Sequence, residues 1–355
     1  MKVLKMQIRR VIFSTLVLLL IKHTHGYQYG PVIDRVILYA EQYTSFIGTH
    51  INSTLIRLAL LTGVPYLNVP QYPLRDQDIP FYLYTRKNPD VPEVLYVGDS
   101  ERRLLLSGFD SSLDTVLYAH GYGSTFDNSA FIFTSSLLPR KNINLIIIKW
   151  DSYSFFDLNY TGAITVFRLG TVIARFLQTL FKVGADRKKI HLIGFSDGAE
   201  AVALAGKQIY PRVARITVFD PAGGSFNFLP PTQRVSITDA DYVQIIHCTV
   251  ANRGLPPEVI GDVTFYMNGA LIQPQCSKYT DISTIGDCSH GACGTYLNES
   301  LQENSTLLGI RCAGFLSNSP KDYDFSDKVI LTYDVPTHVK GLFCVDTRSN
   351  SKSSN

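Results

Sequence analysis

The chain has 355 residues, of which 45% are hydrophobic and 18% are charged, a composition that excludes global disorder and supplies apolar side chains for one large domain or two. The formal net charge of +3 arises from the first 26 residues, which hold five of the 33 lysines and arginines and no acidic residue. Without them the basic residues no longer outnumber the 30 acidic ones, so the charge does not favour nucleic acid or another polyanion as a partner.

The N-terminal segment has the layout of a secretory signal peptide. A basic stretch ends at Arg10, an apolar run extends from Val11 to Ile21, and a polar stretch leads to Gly26. The apolar run is too short for a comfortable membrane span, and no other apolar run of spanning length follows it. We therefore predict that residues 1–26 are a signal peptide and that the mature protein is secreted, extracellular and without a transmembrane segment. An uncleaved signal anchor is the alternative.

All six cysteines lie in the C-terminal third of the chain. An even number of cysteines in an exported protein predicts disulfides, and zinc is disfavoured because no Cys-x-x-Cys pair is present. Four Asn-x-Ser/Thr tripeptides are glycosylation acceptors that fit the same compartment. These acceptors are Asn52, Asn159, Asn298 and Asn304.

The chain divides into an extension, a main domain and a tail. Residues 27–76 form an N-terminal extension with helix-like apolar spacing and no chemical motif, and residues 349–355 are polar and predict a flexible tail. Between them β-rich runs alternate with helical stretches, which predicts an α/β fold with a mostly parallel central sheet flanked by helices. The β-rich runs are residues 81–87, 114–120, 144–150, 189–195, 215–220 and 241–247, and each predicts a strand within it; helices are predicted at residues 161–182 and directly after Ser196.

The clearest chemical motif is the sequence Gly-Phe-Ser-Asp-Gly around Ser196. The predicted strand before it and the predicted helix after it place Ser196 on a sharp strand-to-helix turn. The glycines at positions 194 and 198 allow close packing of strand and helix, while the strained backbone exposes the serine hydroxyl. The same motif also occurs by chance in tight turns, so its interpretation depends on whether the chain supplies partners.

A serine nucleophile needs a base, and the base needs an orienting acid. In proteins with this motif the acid and then the base follow the serine along the chain. Asp220 comes just after a predicted strand, although it could also be a simple turn aspartate. His247, His290 and His338 come later; His247 closes an apolar strand and is expected to be buried. His290, in a predicted loop beside a predicted disulfide, is the preferred base.

An oxyanion formed at Ser196 also needs two N–H donors. One is expected from the residue after the nucleophile, Asp197. The other is expected from the loop after an earlier strand, where His120-Gly121-Tyr122 follows the run at residues 114–120. We predict the backbone N–H groups of Tyr122 and Asp197 as the donors.

From about residue 77 to residue 348 the chain resembles the animal pancreatic-lipase family, which includes the secreted phospholipases A1 of insects. The matching segments keep the family's order: AHGYGST, IIIKWDSYS, GFSDGAEAVALAG, VFDPAGGSF, DADYVQIIH, GDVTFYMNGALIQPQC and CSHGACGTYLNESL. The resemblance implies an α/β-hydrolase fold. Because few residues follow Cys344, we expect neither the C-terminal β-sandwich on which digestive members dock colipase nor a colipase partner. The resemblance assigns site residues as follows: Ser196 as nucleophile, Asp220 as acid, His290 as base, the N–H groups of Tyr122 and Asp197 as oxyanion donors, and a disulfide between Cys276 and Cys288.

The chain departs from the family at several positions. Asp197 stands where a leucine is usual, and Glu200 stands where a histidine is common. A carboxylate at position 197 opposes the developing oxyanion if it points inward, so it either faces solvent or lowers activity. Pro231 and Ser236 replace carboxylates of the calcium loop of the digestive members. We therefore expect no calcium site and no other metal or cofactor.

The resemblance leaves two classes of function, a secreted serine ester hydrolase and a silent storage or binding protein. The three complete triad positions favour catalysis. The segment between Cys276 and Cys288, which corresponds to the lid over the active site, has only eleven residues, and the neighbouring stretch 250–260 is short too. Short lids are typical of the phospholipase A1 members, so the resemblance implies cleavage of the sn-1 acyl ester of phospholipids at membrane or micelle surfaces. A triacylglycerol lipase or a general carboxylesterase is the alternative.

Overall fold

The computed structural model describes residues 74–151, 161–250, 253–315, 317 and 319–348. The predicted signal peptide, nearly all of the predicted extension and the predicted tail lie outside these residues, as do the acceptors Asn52 and Asn159. Asn298 and Asn304 lie within them and are exposed.

A central sheet of eleven strands organises the described part of the chain. The strands are β1 (Phe81–Tyr84), β2 (Glu93–Leu95), β3 (Thr115–Ala119), β4 (Asn144–Ile148), β5 (Ile190–Phe195), β6 (Arg215–Phe219), β7 (Tyr242–His247), β8 (Val263–Met267), β9 (Leu308–Cys312), β10 (Tyr323–Ile330) and β11 (Gly341–Val345). Their order across the sheet is β10-β9-β11-β8-β7-β6-β5-β3-β4-β1-β2. All neighbours from β11 to β4 are parallel, and the pairings outside this block are antiparallel. The predicted mostly parallel sheet is confirmed.

Five α-helices accompany the sheet in the described residues. They are α1 (Glu101–Leu106), α2 (Phe126–Leu137), α3 (Thr161–Lys182), α4 (Asp197–Lys207) and α5 (Ile282–Ser300). Apolar residues of α3 and α4 share one buried cluster, and those of α2 and α5 share a second one. The two clusters lie on opposite faces of the sheet, because alternate residues of a strand point to opposite sides.

The strand β4 shows why the sheet is buried on both faces. All five of its residues are buried. Ile146 and Ile148 belong to the cluster of α3 and α4, whereas Leu145 and Ile147 belong to the cluster of α2 and α5. Apolar side chains on both faces of a strand are typical of a sheet buried between two helical layers, which is the arrangement of the predicted α/β-hydrolase fold.

The helix α3 lies where the helical spacing of residues 161–182 predicts it. Within the described residues it is the one helix long and apolar enough to cross a membrane, over Ala163–Lys182. Phe176, Leu177 and Leu180 are fully buried inside the protein, and α3 packs against α4. These contacts are those of a core helix in a globular domain.

Candidate active site

Ser196 occupies the turn between β5 and α4. Its φ of 56° and ψ of −123° are strained for a residue with a side chain. The backbone holds this conformation through hydrogen bonds: Ser196 N–H donates to the Phe219 carbonyl at 3.0 Å, and the Ser196 carbonyl accepts from Ala199 and Ala222. The strained turn places the serine side chain at the carboxyl end of the parallel strands.

The two glycines of the motif let strand and helix approach each other. A Cβ atom at position 198 would lie 2.2 Å from the Ala119 carbonyl oxygen, and one at position 194 would lie 2.5 Å from the Cα of Ala199. Both distances are far below van der Waals contact. A side chain at either position would therefore push α4 away from the sheet and move Ser196.

The structure brings Ser196, His290 and Asp220 into one hydrogen-bonded chain. His290 Nε2 lies 2.7 Å from Ser196 Oγ, and His290 Nδ1 lies 2.6 Å from Asp220 Oδ2. A carboxylate can only accept a hydrogen bond, so Nδ1 carries the proton and Nε2 is left to accept from the serine hydroxyl. This is the tautomer in which a histidine can remove a proton from serine.

Asp220 directly follows β6, and its carboxylate is fully buried. Oδ1 accepts from the backbone N–H groups of Cys248 at 2.7 Å and Thr249 at 3.0 Å, and Oδ2 also accepts from the Thr249 hydroxyl at 2.6 Å. Burial alone would raise the pKa of Asp220, but these hydrogen bonds and the one from His290 leave its pKa below its ordinary value. The carboxylate is therefore ionised and fixed in orientation.

His290 lies in the helix α5, so its assignment to a loop was wrong. The helix begins after Asp281, whose carboxylate accepts from the Thr284 N–H at 2.8 Å as an N-cap. Three glycines and the absence of a strong apolar pattern conceal the helix in the sequence. Two disulfides tie it to the rest of the domain, which compensates for its weak intrinsic helix propensity.

Three disulfides join the six cysteines. They are Cys248–Cys293, Cys276–Cys288 and Cys312–Cys344. The second closes the lid segment, residues 277–287, and the first connects α5, one turn after His290, to the residues that bind the Asp220 carboxylate. The disulfide positions thus restrain both partners of the His290–Asp220 hydrogen bond.

The other two candidate histidines are not part of the hydrogen-bonded chain of Ser196, His290 and Asp220. His247 is fully buried, and its Nε2 lies 2.8 Å from the Val259 carbonyl, as expected for a histidine that closes an apolar strand. His338 is exposed before β11.

The loop after β3 passes directly beside the serine. A Cβ atom at Gly121 would lie 2.7 Å from the Ser196 Cβ, so only glycine allows this approach, and the next residue is Tyr122. Asp197 is the first residue of α4, where N–H groups have no partner within the helix. Both predicted oxyanion donors therefore border the nucleophile.

Two residues that sequence reasoning did not single out support this loop. His120 is fully buried, and its Nε2 lies 2.8 Å from Asp151 Oδ1. Asp151 also accepts the Phe126 N–H at the start of α2 at 3.0 Å, while the Trp150 indole donates to the His120 carbonyl at 3.2 Å. Asp151 follows β4 at the carboxyl end of the parallel strands, where active sites of such sheets lie, and this position could have identified it from the sequence.

The two acidic departures from the family occupy different environments. Glu200, in α4, is fully buried and accepts the Val235 N–H at 2.8 Å, and burial raises its pKa well above the ordinary value. Asp197 is half-buried, and burial raises its pKa to about 6, while nearby His290 lowers it. Of the two, Asp197 is the one that directly follows Ser196 and interacts electrostatically with His290.

The segment that corresponds to the calcium loop does not suit calcium. Asp239 is fully buried and forms an ion pair with the Lys207 ammonium, which also donates to the Ser236 hydroxyl at 3.0 Å. Ser236 in turn donates to Asp239 through its N–H and its hydroxyl. A side-chain cation already neutralises the carboxylate, and calcium needs more oxygen ligands than this set offers.

The lid segment is continuous with the helix that carries His290. Its second half, from Ile282, is the beginning of α5. Asp287 in this part forms an ion pair with Arg253, and Cys276–Cys288 closes the segment at its base. The second half of the lid segment therefore belongs to the same helix as His290.

The sequence is similar to that of known lipases and phospholipases. The model of a protein family described as Lipase matches residues 50–322. Lipase member H-A from Xenopus laevis is 29% identical over 239 residues, which cover 66% of this chain and 50% of that protein. Phospholipase A1 member A from Homo sapiens is 29% identical over 244 residues, which cover 68% of this chain and 52% of that protein. The chain spans about half the length of these curated relatives.

Proposed function

Because the chain belongs to the lipase family, we propose that it is a secreted carboxylic ester hydrolase with Ser196 as nucleophile, His290 as base and Asp220 as acid. The observation that carries the proposal is the hydrogen-bonded chain from Ser196 Oγ through His290 to Asp220, with distances of 2.7 Å and 2.6 Å. The three disulfides fit the extracellular compartment.

The reaction has two steps that share one proton relay. As Ser196 Oγ attacks the ester carbonyl, His290 Nε2 takes its proton, and the imidazolium then donates that proton to the leaving alcohol. In the second step His290 activates water, which hydrolyses the acyl-enzyme and restores the serine. Asp220 stabilises the imidazolium in both steps and does not itself take up the proton.

The oxyanion of each tetrahedral intermediate is stabilised by the N–H groups of Tyr122 and Asp197. Such donors stabilise the negative charge that develops on the carbonyl oxygen in the transition state, and they therefore accelerate the reaction. The positive end of the α4 dipole adds to this effect. The Asp197 carboxylate opposes it whenever it is ionised.

We expect neutralisation of Asp197 to raise activity, and to raise it more at high pH. The pKa of Asp197 is about 6, so its ionised fraction increases as the pH rises through that value. At about pH 8 the Asp197→Asn variant should exceed the wild type in kcat by about tenfold, which corresponds to about 1.4 kcal/mol.

The measurement is kcat of the wild type and of Asp197→Asn on one soluble ester, from about pH 5 to about pH 8. At about pH 5 the wild-type carboxyl is mostly protonated, so the ratio of variant to wild type should fall towards one. Asp197→Leu, which introduces the residue usual in the family, should behave in the same way. A ratio that stays constant with pH would rule out a role for the carboxylate charge.

The proposed substrate is the sn-1 acyl ester of phospholipids. A short lid that is continuous with α5 covers little apolar surface and leaves the cleft open to a polar headgroup. It carries Lys278, Asp281 and Asp287 and so is poorly suited to spread on oil. The relative from Homo sapiens is named a phospholipase A1, which supports the same substrate class.

We expect the protein to prefer phosphatidylcholine micelles over an emulsified triglyceride. Its rate on the triglyceride should not increase abruptly above the solubility limit of that substrate, because a short lid covers little apolar surface that an oil interface could expose. Both substrates should be assayed side by side, with Ser196→Ala to subtract background. Preference for the triglyceride together with an abrupt increase would instead indicate a triacylglycerol lipase.

A further inference from the structure

A cation that neither the proton relay nor the oxyanion donors use lies beside the proposed active site. The Arg253 carbonyl accepts the N–H of Gly223 at 2.7 Å, and Gly223 is three residues after Asp220. A Cβ atom at position 254 would lie 2.8 Å from Asp220 Oδ1. The backbone of Arg253 is therefore packed against the segment that begins with the orienting acid.

The Arg253 side chain extends to the helix of His290. Its Nε donates to Asp287 Oδ1, and the two side chains form an ion pair. Asp287 is three residues before His290 in α5, and residues at this spacing lie on the same side of a helix, with about 5–6 Å between their Cβ atoms. The guanidinium of Arg253 is therefore bound to the side of α5 that carries His290, one helical turn before it.

The ion pair leaves part of the guanidinium available for a ligand. Arginine has further N–H donors in its two terminal NH₂ groups, and among the described residues the printed sequence provides no hydrogen-bond partner for those of Arg253. The Arg253 side chain is 35% exposed, so these groups are accessible from solvent. Two such donors bind a phosphate through parallel hydrogen bonds.

Asp287 holds Arg253 in place but competes only weakly for it. The Asp287 side chain is 56% exposed, and water and salt weaken an ion pair at such a position. A phosphate that binds to the terminal NH₂ groups therefore loses little by sharing Arg253 with Asp287.

The phosphate of a phospholipid belongs to the alcohol that leaves when the sn-1 ester is cleaved. The phosphodiester and the sn-1 ester are attached to opposite ends of a single glycerol unit. Because His290 donates its proton to the leaving alcohol in the proposed mechanism, the glycerol and its phosphate lie on the side of His290. Arg253 is bound to that side of α5.

We propose that Arg253 binds the phosphodiester of the phospholipid headgroup and thereby sets the preference for phospholipids over neutral acylglycerols. This role rests on the proposed ester hydrolysis and names the residue that recognises its substrate class. A diacylglycerol has an uncharged hydroxyl in place of the phosphodiester, so it lacks the charge-assisted hydrogen bonds to Arg253. Arg253 contacts the substrate and takes no part in the proton relay.

The test compares Arg253→Gln with the wild type on dihexanoylphosphatidylcholine and dihexanoylglycerol, both below the concentrations at which they aggregate. The two esters differ only in the phosphocholine group, so the ratio of their kcat/KM values measures recognition of that group. The ratio of phosphatidylcholine to diacylglycerol should fall by about tenfold or more in Arg253→Gln, mainly through a higher KM for phosphatidylcholine. Arg103→Gln, which removes an exposed arginine from an ion pair with Asp99 in α1, should keep the wild-type ratio.

Asp287→Asn separates phosphate binding from a structural role of the ion pair. This variant breaks the same ion pair but keeps Arg253 and removes a carboxylate that repels phosphate, so its ratio should be at least that of the wild type. If Arg253 only fixed the position of α5, Arg253→Gln would slow both reactions equally. Such an unchanged ratio would overturn the proposal, as would an equal fall of the ratio in Asp287→Asn.

Failure of the proposed function gives a different result. A wild-type protein that cleaves neither ester would refute ester hydrolysis, and one that cleaves only dihexanoylglycerol would refute the phospholipid substrate. The role of Arg253 is refuted when the wild type cleaves both esters and the variant keeps the wild-type ratio. If Arg253→Gln is not secreted, Arg253→Met, which retains an apolar stem, must lower the ratio, and an unchanged ratio in that variant overturns the proposal as well.

Discussion

Replacement of Ser196 with alanine is expected to lower kcat for ester hydrolysis by roughly five to six orders of magnitude. The reason is that no other atom can form the acyl-enzyme, since Ser196 Oγ is the atom within hydrogen-bond distance of His290 Nε2. The oxyanion donors belong to the backbone and remain in the variant, so a small residual rate above that in water should persist.

The measurement compares kcat of Ser196→Ala with that of the wild type on a soluble ester, at matched secretion levels and disulfide content. The matched control is Ser135→Ala, which removes a hydroxyl from an exposed position of α2 and should retain wild-type kcat. Full esterase activity in Ser196→Ala would assign the reaction to another residue.

Replacement of Asp220 with asparagine is expected to lower kcat by about four orders of magnitude. The amide oxygen of asparagine will accept from the N–H groups of Cys248 and Thr249, which leaves the amide NH₂ facing His290 Nδ1. Because an NH₂ group donates, Nδ1 must then accept, and the proton moves to Nε2. In that tautomer His290 cannot take the proton of Ser196.

The measurement compares kcat and KM of Asp220→Asn with those of the wild type on a soluble ester. KM should change little, because Asp220 is buried and acts on the proton of His290 and not on the substrate. Asp127→Asn, which makes the same change at an exposed position in the first turn of α2, should retain wild-type kcat. A loss below tenfold in Asp220→Asn would contradict the assignment of Asp220 as the orienting acid.

Strong local patterns explain which parts of the fold could be predicted. The strand β4 has four consecutive apolar residues, Leu145 to Ile148, and α3 has a long apolar stripe, so both are recognisable without tertiary information. The serine turn is equally local, because its two glycines, its strand and its helix lie within one short segment. Asp220 could be singled out as a candidate because it directly follows the next strand of the parallel block, β6.

Other parts depend on contacts between distant residues. The helix α5 contains Gly286, Gly291 and Gly294, and its intrinsic propensity is too low to reveal it; an N-cap and two disulfides stabilise it. The pairing of β9 with β10 and β11 is antiparallel near the edge of the sheet, and β10 has no buried residue while β9 has only two. Such elements are determined by tertiary packing more than by their own sequence.

The hydrogen bonds that support the site could not be predicted from the sequence either. Thr249 lies 29 residues from Asp220, and Asp151 lies 31 residues from His120. Both follow strands of the parallel sheet closely, and the carboxyl ends of such strands meet along one edge. That rule brings such residues into the neighbourhood of the site, but the hydrogen bonds themselves require the folded loops.

Covalent labelling with a fluorophosphonate tests most directly whether Ser196 is an activated nucleophile. The wild-type protein should incorporate one phosphonyl group, and peptide mapping by mass spectrometry should locate it on Ser196, because only an activated serine displaces the fluoride rapidly. Ser196→Ala should remain unlabelled under the same conditions, whereas Ser135→Ala should label as the wild type does. A wild-type protein that hydrolyses esters yet carries the label on another residue, or carries none, would contradict the assignment of Ser196 as nucleophile.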